Sequence, residues 1–290
     1  MKRFVILLIM ITICSKAYAK DIIFVSILPV KFIAEQIAGN NFEVKALVPE
    51  NFDPHTYEPK PDDMKMFAKA KYYLSIGDNF DGVWLDKLIS VNKKIKIVNI
   101  DNTIRKRKFD DHESHHENNA EHEHGMYDPH IWTGLKNMKI MAKNILNFLS
   151  NEDSKNLNYY KLRYEQFIKE IDKIIGEFDS IFTNCDNKKF LVFHPSWGYF
   201  ADDFHLHQIA IEDEGGEPSI KHLKGIIDMV KRENIKVMFV QPQINSKISE
   251  TISKQLKVEK ITINPLSYNI LDEFYKIKES FIKSCGGKNE

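Results

Sequence analysis

One uninterrupted helical pattern in the middle of the chain constrains the fold more than any other feature. Apolar side chains recur there at three- and four-residue steps, and no proline breaks the pattern. The recurring residues are Leu157, Tyr160, Tyr164, Phe167, Ile168, Ile171, Ile174, Ile175, Phe178 and Phe182. We predict one long helix over residues 154–182. A coiled-coil partner helix is the competing interpretation, but the pattern spans few heptads and lacks a clean a/d seam.

Short apolar segments alternate with helical segments on both sides of this predicted helix. Four strands are predicted before it, at residues 21–28, 42–48, 72–76 and 95–100, and four after it, at 189–193, 206–211, 235–240 and 260–263. Such alternation indicates βαβ units and a mostly parallel sheet. The expected fold is α/β, with two lobes, each a roughly four-stranded sheet flanked by helices, joined by the long linking helix. The expected boundaries are 20–150 for the N-terminal lobe, 151–182 for the linking helix and 183–290 for the C-terminal lobe.

Residues 1–19 have the three parts of a signal peptide. Lys2 and Arg3 form a basic start, residues 4–13 are an apolar run too short to span a bilayer, and Ala-Tyr-Ala at 17–19 is a cleavage signature. We expect cleavage before Lys20 and export of the mature protein to the periplasm. Cys14 raises a lipoprotein alternative, but lipid attachment normally needs a small residue where Ile13 stands.

The charge balance and the cysteine content indicate which partners the protein can have and in which compartment it folds. The 41 Lys and Arg residues balance 41 Asp and Glu residues, so no overall field favours nucleic acid and no nucleic-acid partner is expected. The basic run at 105–108 precedes Asp110 directly and is expected to be a solvated loop. Cys185 and Cys285 remain after the expected cleavage, and in an oxidising compartment such a pair often forms a disulfide. Two separate buried thiols are the alternative.

Six of the 11 histidines lie between residues 112 and 130. The segment 110–125 mixes histidines with acidic residues and lacks apolar periodicity, which predicts a mobile loop that collects a transition metal weakly. Its histidines are His112, His115, His116, His122 and His124. His130 differs, because a proline precedes it and the apolar residues Ile131 and Trp132 follow it. A solvated loop that ends in a capping histidine is the alternative.

Three histidines stand beside prolines, near the ends of predicted strands or next to apolar residues that are expected to be buried. His55 follows the second strand, His130 precedes Ile131, and His194 ends the fifth strand. Ligands of open α/β sheets bind at the carboxyl ends of strands. A lone histidine is more often a surface or core residue, but three in similar settings favour a metal site. Imidazole nitrogens suit zinc, copper or nickel better than magnesium or calcium.

The motifs around these histidines resemble those of the ZnuA/TroA-like (cluster A-I) metal-binding proteins, the periplasmic or surface substrate-binding components of zinc and manganese ABC transporters. The motifs are Asp-Pro-His-x-Tyr-Glu-Pro-x-Pro-x-Asp at 53–63, Asp-Pro-His-Ile-Trp at 128–132 and His-Pro-Ser-Trp-Gly-Tyr-Phe at 194–200. The resemblance covers essentially the whole mature chain. It implies two α/β lobes bridged by one long helix, with the metal in the cleft between them. It further implies His55, His130 and His194 as ligands of a zinc ion, and a monomer that docks on a cognate ABC permease at the inner membrane.

The chain departs from the pattern of that family at two positions. Asn264 stands where the family often carries the aspartate of an Asp-Pro-Leu segment, and Gln241 stands where it has the glutamate of Glu-Pro-Gln. An amide is a weaker and uncharged ligand. Together with a histidine at 194, where manganese and iron members usually have a carboxylate, these changes favour zinc. Water, Glu50 and Asn264 are the open alternatives for a fourth ligand.

Two other functions stay open from the sequence. One is a manganese- or iron-binding protein on the same scaffold. The other is a zinc hydrolase, since a catalytic zinc also keeps an open position. A hydrolase would need a general base beside the metal, and the amides of Gln241 and Asn264 argue against one there. Glu50 is the remaining candidate for such a base.

Overall fold

Two four-stranded parallel sheets lie on either side of one long helix in the computed structural model, which describes residues 20–109, 127–212, 218–243 and 246–285. The first sheet contains β1 (Asp21–Val25), β2 (Phe42–Ala46), β3 (Tyr72–Ser75) and β4 (Lys96–Asn99). The second contains β5 (Lys189–Val192), β6 (His207–Ala210), β7 (Val237–Val240) and β8 (Glu259–Thr262). The predicted α/β fold with two sheets and a linking helix is confirmed. Every strand pairing among the described residues is parallel.

Nine α-helices are found in the described part of the chain, mostly as crossovers between the strands. They are α1 (Leu28–Ala38), α2 (Pro61–Phe67), α3 (Asn79–Val91), α4 (Leu135–Glu152), α5 (Leu157–Thr183), α6 (Gly198–Asp203), α7 (Ile220–Glu233), α8 (Ser246–Leu256) and α9 (Ile270–Ser284). We retain the division into lobes at residues 150 and 183 as a proposal. None of the described helices is long and apolar enough to cross a membrane.

Both sheets have the same strand order. The orders are β2-β1-β3-β4 and β6-β5-β7-β8, so each chain segment starts at an inner strand, adds one neighbour and then crosses to the other side. The loops that leave the inner strands β1 and β5 therefore diverge from those of β3 and β7, which opens a crevice at the carboxyl edge of each sheet. Side chains carried by these loops are exposed to ligands at that edge.

The linking helix α5 packs against helices of both lobes. It runs from Leu157 to Thr183, 27 residues, or about 40 Å at 1.5 Å per residue. A 3₁₀ turn, Ser154–Asn156, precedes it, so the predicted start at 154 is not yet α-helical. Its buried face carries Tyr160, Phe167, Ile171, Ile174, Phe178 and Phe182. The helix packs on α1, α4 and α9.

Polar contacts also join the two lobes away from the helix. Trp132 Nε1 donates to the Pro265 carbonyl at 2.7 Å, and the Lys136 backbone N–H donates to Asp203 Oδ2 at 3.0 Å. Burial raises the pKa of Asp203 to about 6, although the hydrogen bond from Lys136 opposes this effect. Because these contacts span the cleft beside the linking helix, they set how the lobes face each other.

A disulfide joins Cys185 to Cys285, as predicted, at a sequence separation of 100 and with 5.0 Å between their Cα atoms. Cys185 follows α5 directly and Cys285 caps the end of α9. The bond therefore fastens the end of the linking helix to the final helix of the second lobe.

The first strand is shorter than predicted. It was expected over 21–28 but ends at Val25, and Leu28 is already the first residue of α1. The helix α2 begins at Pro61, ahead of the acidic pair Asp62 and Asp63. Asp63 Oδ2 accepts the Lys60 backbone N–H at 3.0 Å. A proline tolerates the first helical position because its missing N–H needs no partner there, and this moves the start ahead of the acidic pair.

Candidate metal centre

The structure brings three histidines from distant parts of the sequence together in the cleft between the lobes. One nitrogen of each of His55, His130 and His194 lies within 4.8 Å of the corresponding nitrogens of the other two. Nε2 of His130 and Nε2 of His194 are 3.4 Å apart. These are the three residues that the sequence motifs single out, and their role as ligands stays a prediction.

The strand ends explain why these residues meet. His55 belongs to the loop after β2 in the first sheet, and His194 follows β5, the inner strand of the second sheet. His130 immediately precedes a 3₁₀ turn, Ile131–Thr133, that leads into α4. The Trp132 ring packs edge-on against the His130 ring with centroids 5.3 Å apart, which restricts how that imidazole can turn.

Each histidine has its Nδ1 held by a polar side chain. Asp128 Oδ1 lies 2.8 Å from Nδ1 of His130, and Glu212 Oε1 lies 2.6 Å from Nδ1 of His194. A carboxylate in this position accepts the Nδ1 hydrogen and leaves the Nε2 lone pair free for an ion. No sequence motif marks Glu212 as a partner, although its place just after β6 puts it at the same sheet edge as His194.

His55 is held in a related way by an amide. The Asn79 side-chain amide lies 2.8 Å from Nδ1 of His55. An amide presents either its oxygen or its nitrogen after a half-turn, so with the oxygen toward the ring it accepts the Nδ1 hydrogen and leaves Nε2 free. Asn79 is the first residue of α3, and no motif in the sequence marks it as a partner of His55. The Asp53 carboxylate accepts the His55 backbone N–H at 2.9 Å and stiffens the loop.

The electrostatics of the cluster favour neutral imidazoles. Desolvation and the proximity of His130 lower the pKa of His55 to about 4, although one side of His55 faces solvent. Desolvation also lowers the pKa of His130, and it outweighs the opposing effect of Asp128. Burial alone would raise the pKa of Asp128, but the hydrogen bonds from His130 and the charge of Arg107 hold it below the ordinary value. At neutral pH, His55 and His130 therefore offer lone pairs rather than protons.

This donor set fits a transition metal ion. Neutral imidazole nitrogens suit zinc, copper and nickel, while magnesium and calcium prefer oxygen ligands. Within the described residues, the group of His, Cys, Asp and Glu side chains close enough to hold a metal consists of the three histidines and includes no carboxylate. An ion at this position would thus be coordinated by the protein mainly through nitrogen.

The residues proposed for a fourth ligand take other roles in the structure. Glu50 is exposed and is not part of the cluster. Asn264 Oδ1 accepts the Leu266 backbone N–H at 3.0 Å, which closes the turn of the Asn-Pro-Leu segment. The Gln241 amide donates to Ser196 Oγ at 3.0 Å. The two amides that replace carboxylates of the family pattern therefore hold loops of the second lobe together.

Other predicted features lie elsewhere. Trp197, three residues after His194, packs its ring against Phe200 and Phe274, with centroids 6.4 and 5.6 Å away. The histidines of the predicted collecting loop and the predicted signal peptide lie outside the described residues. His112, His115, His116, His122 and His124 therefore stay a prediction from sequence.

Known proteins have similar sequences and structures. The zinc-binding protein AdcA of Streptococcus pyogenes is 28% identical over 255 residues, which cover 82% of this chain and 49% of AdcA. This chain thus spans about half the length of that relative. The manganese ABC transporter substrate-binding lipoprotein PsaA of Streptococcus mitis is 28% identical over 236 residues, which cover 78% of this chain and 74% of PsaA. A crystal structure of ZnuA matches 91% of this chain and 99% of its own, with 33% identity and a TM-score of 0.82.

A sequence model of one family covers almost the entire described chain. It matches residues 23–283, and its description is the periplasmic component A of a zinc-uptake complex, ZnuA. Proteins of this kind bind a substrate for transport and are not enzymes, so the zinc hydrolase considered from the sequence is set aside. The chain belongs to the ZnuA family of metal-binding, substrate-binding proteins.

Proposed function

We propose that this protein captures a zinc ion in the cleft between its lobes and delivers the ion to an ABC permease. The observation that carries the proposal is the convergence of His55, His130 and His194, each with its Nδ1 held by a partner. Zinc is here the cargo, bound through three imidazole nitrogens. The family description and the zinc-binding relative AdcA support the same assignment.

The chemistry of the cluster favours zinc over manganese or iron. PsaA, a relative of similar identity, is named for manganese, so family membership alone does not choose the ion. Manganese prefers carboxylate and water oxygens, whereas three imidazoles with a tetrahedral open position suit zinc. Asn264 and Gln241 carry amides in place of the two carboxylates, and this removes the anionic oxygens that a harder cation would need.

The fourth position is proposed to hold a water molecule. Asn264 already uses its side-chain oxygen to close a turn, and Glu50 lies in the exposed loop that leads to His55. A swing of Glu50 onto the ion is the alternative. Since three neutral imidazoles leave the charge of the ion uncompensated within the cluster, the carboxylates of Asp128 and Glu212 behind the rings balance that charge.

The cellular setting is proposed from the leader sequence and the family. Cleavage after residue 19 would release the protein into the periplasm, where it works as a monomer and docks on its permease at the inner membrane. The linking helix and the contacts between the lobes limit hinge bending. We therefore expect metal release through small lobe shifts and loop rearrangement rather than a wide opening.

A competition titration tests the choice of ion. Metal-free protein is titrated with zinc in the presence of a chromophoric chelator, and the titration is repeated with a hundredfold excess of manganese. We expect one tight zinc site at the cleft, with an apparent affinity that manganese changes less than twofold. Displacement of zinc by equimolar manganese would contradict the assignment, and a protein that binds neither ion would contradict the proposed function.

Zinc binding at mildly acidic pH is expected to release fewer protons than three ordinary histidines would. At pH 5.5, three imidazoles with pKa values of about 6.5 would release about 2.7 protons per zinc. The pKa of His55 is about 4, and that of His130 is also lowered, so these rings are deprotonated at lower pH than ordinary histidines. Calorimetry in buffers of different ionisation enthalpy should give fewer than two protons per zinc. A value near 2.7 would show that the rings are charged before the metal binds.

A further inference from the structure

A buried arginine lies between the second lobe and the carboxylate that holds His130. Arg107 Nη1 donates to Asp128 Oδ2 at 3.0 Å, and Asp128 Oδ1 accepts the Nδ1 hydrogen of His130 at 2.8 Å. On its other side, Arg107 Nε donates to Asp202 Oδ2 at 3.1 Å. Asp202 belongs to α6 of the second lobe, whereas Arg107 and Asp128 belong to the first. A continuous line of charged hydrogen bonds thus runs from the second lobe to a metal-binding ring.

Hydrogen bonds to the backbone of Arg107 and Asp128 also fix the position of this ion pair. The Tyr199 hydroxyl accepts the Arg107 backbone N–H at 3.1 Å and donates to the Asp128 carbonyl at 2.9 Å. The Asp128 backbone N–H donates to the Arg107 carbonyl at 3.0 Å. Tyr199 is also part of α6, so this helix contacts both partners of the ion pair.

A glycine in the second lobe makes room for the guanidinium. A Cβ atom on Gly198 would lie 2.0 Å from Arg107 Nη1 and 2.7 Å from Asp128 Oδ2. Either distance is far below van der Waals contact, so any larger residue would displace the arginine. The Gly of the motif His-Pro-Ser-Trp-Gly-Tyr-Phe is therefore required by the close approach of a side chain from the other lobe.

The ion pair of Arg107 and Asp128 is shielded from water, so each of the two charges needs the other for its stabilisation. The Asp128 side chain has no exposed surface and that of Arg107 is 11% exposed, in contrast to the solvated loop expected for the run 105–108. A buried carboxylate that loses its cation is costly, so Asp128 would reorganise or draw in water. Its hydrogen bond to His130 would then no longer fix the plane of that ring.

We propose that Arg107 is the positioning residue through which the second lobe holds His130 in its metal-binding orientation. The identity of the ion in this inference rests on the proposed function, but the orientation of the His130 ring by Arg107 does not. Removal of a group that orients a ligand in this way typically weakens metal binding by about 10- to 100-fold. We expect Arg107→Gln to weaken zinc binding at least tenfold, and Arg107→Lys, which keeps the charge but not the two-sided fork, to fall between it and the wild type.

Gly198→Ala provides an independent test, because it displaces the guanidinium and leaves every charge in place. It should reproduce the loss of affinity seen in Arg107→Gln. Asp202→Asn removes the exposed end of the line and should cost less, about fivefold at most. Arg232→Gln is the matched control, since Arg232 is an exposed arginine that pairs with its neighbour Glu233 on α7. Its zinc affinity should equal that of the wild type.

Two readouts separate positioning from a general loss of fold. The visible spectrum of bound cobalt reports the geometry of the site in folded protein only, and it should change in Arg107→Gln and Gly198→Ala but not in Arg232→Gln. Nitrogen NMR of the metal-free imidazoles reports which His130 nitrogen carries the hydrogen. In the wild type the hydrogen should be on Nδ1. In the Arg107 variants it should exchange between Nδ1 and Nε2.

The outcomes are distinct for the two proposals. If the wild type held no zinc, the proposed function would fail, and the NMR comparison would still decide the role of Arg107. If the wild type bound zinc tightly and both Arg107→Gln and Gly198→Ala stayed within twofold of it, or if their imidazole spectra were unchanged, the positioning role would be overturned. An equal loss in Arg232→Gln would overturn it as well.

Discussion

Zinc affinity is expected to fall by about a thousandfold when His55 is replaced by alanine. Zinc sites in small proteins contribute about 10–16 kcal/mol at neutral pH, so one of three protein ligands accounts for roughly 4 kcal/mol, or about three orders of magnitude. His55 is the best of the three for this test because it is exposed, whereas His130 is buried in the cleft. Its replacement removes a ligand without opening a cavity in the core.

The measurement is a chelator competition on the metal-free variant, accompanied by thermal unfolding. Unfolding of the metal-free variant should match that of the metal-free wild type, since His55 lies in a loop and is not part of the apolar core. His207→Ala is the control, because His207 is also exposed but lies on β6, outside the cluster. It should bind zinc like the wild type. If His55→Ala bound zinc as tightly as the wild type, His55 would not be a ligand and the proposed site would be wrong.

Opening the disulfide is expected to lower the free energy of unfolding by about 4–5 kcal/mol. A bond that closes a loop of 100 residues restricts the unfolded chain by about this amount in the loop-entropy description. Since folded domains are stable by only about 5–15 kcal/mol, the loss is a large part of the total. For a chain of this size it corresponds to a fall of about 10 °C in the midpoint of thermal unfolding.

The sharpest comparison is the same protein with the disulfide formed and reduced, because the sequence does not change. Cys185→Ala combined with Cys285→Ser should reproduce the reduced form. Thiol titration of the denatured, unreduced protein should detect no free thiol from this pair. The zinc affinity of the folded protein should hold in both forms, because neither cysteine belongs to the histidine cluster. Equal unfolding midpoints for the oxidised and reduced forms would show that the bond contributes no stability.

The order of the secondary structure elements could be predicted from the sequence because it depends on local patterns. The apolar steps from Leu157 to Phe182 predict the long helix, and the alternation on both sides predicts eight strands. Cys185 and Cys285 were expected as a disulfide pair, with two separate thiols as the alternative, since only two cysteines follow the predicted signal peptide. The end of the first strand was misplaced, at residue 28 rather than Val25, because α1 already begins at Leu28 and the local apolar pattern does not encode where one element passes into the next.

The partners of the histidines could not be predicted in the same way. Asn79 and Glu212 are 24 and 18 residues away in sequence from the rings that they contact. No local pattern encodes such a pairing, since it arises when loops that follow different strands meet at the carboxyl edge of the same sheet. Arg107 shows the same limit, because its charge suggested a solvated loop and only the approach of Gly198 and Asp202 from the other lobe buries it.

The sequence by itself determined the α/β class, the linking helix, the disulfide pair and the three histidines, because each is marked by residue type and short-range spacing. Only the tertiary structure decided that the three rings converge, which nitrogen of each is held, and that the amide of Asn264 closes a turn. The physical reason is that the histidine cluster requires side chains from both lobes at one point in space. Their relative position is set by the packing of α5 and by the contacts across the cleft, and these are properties of the folded chain as a whole.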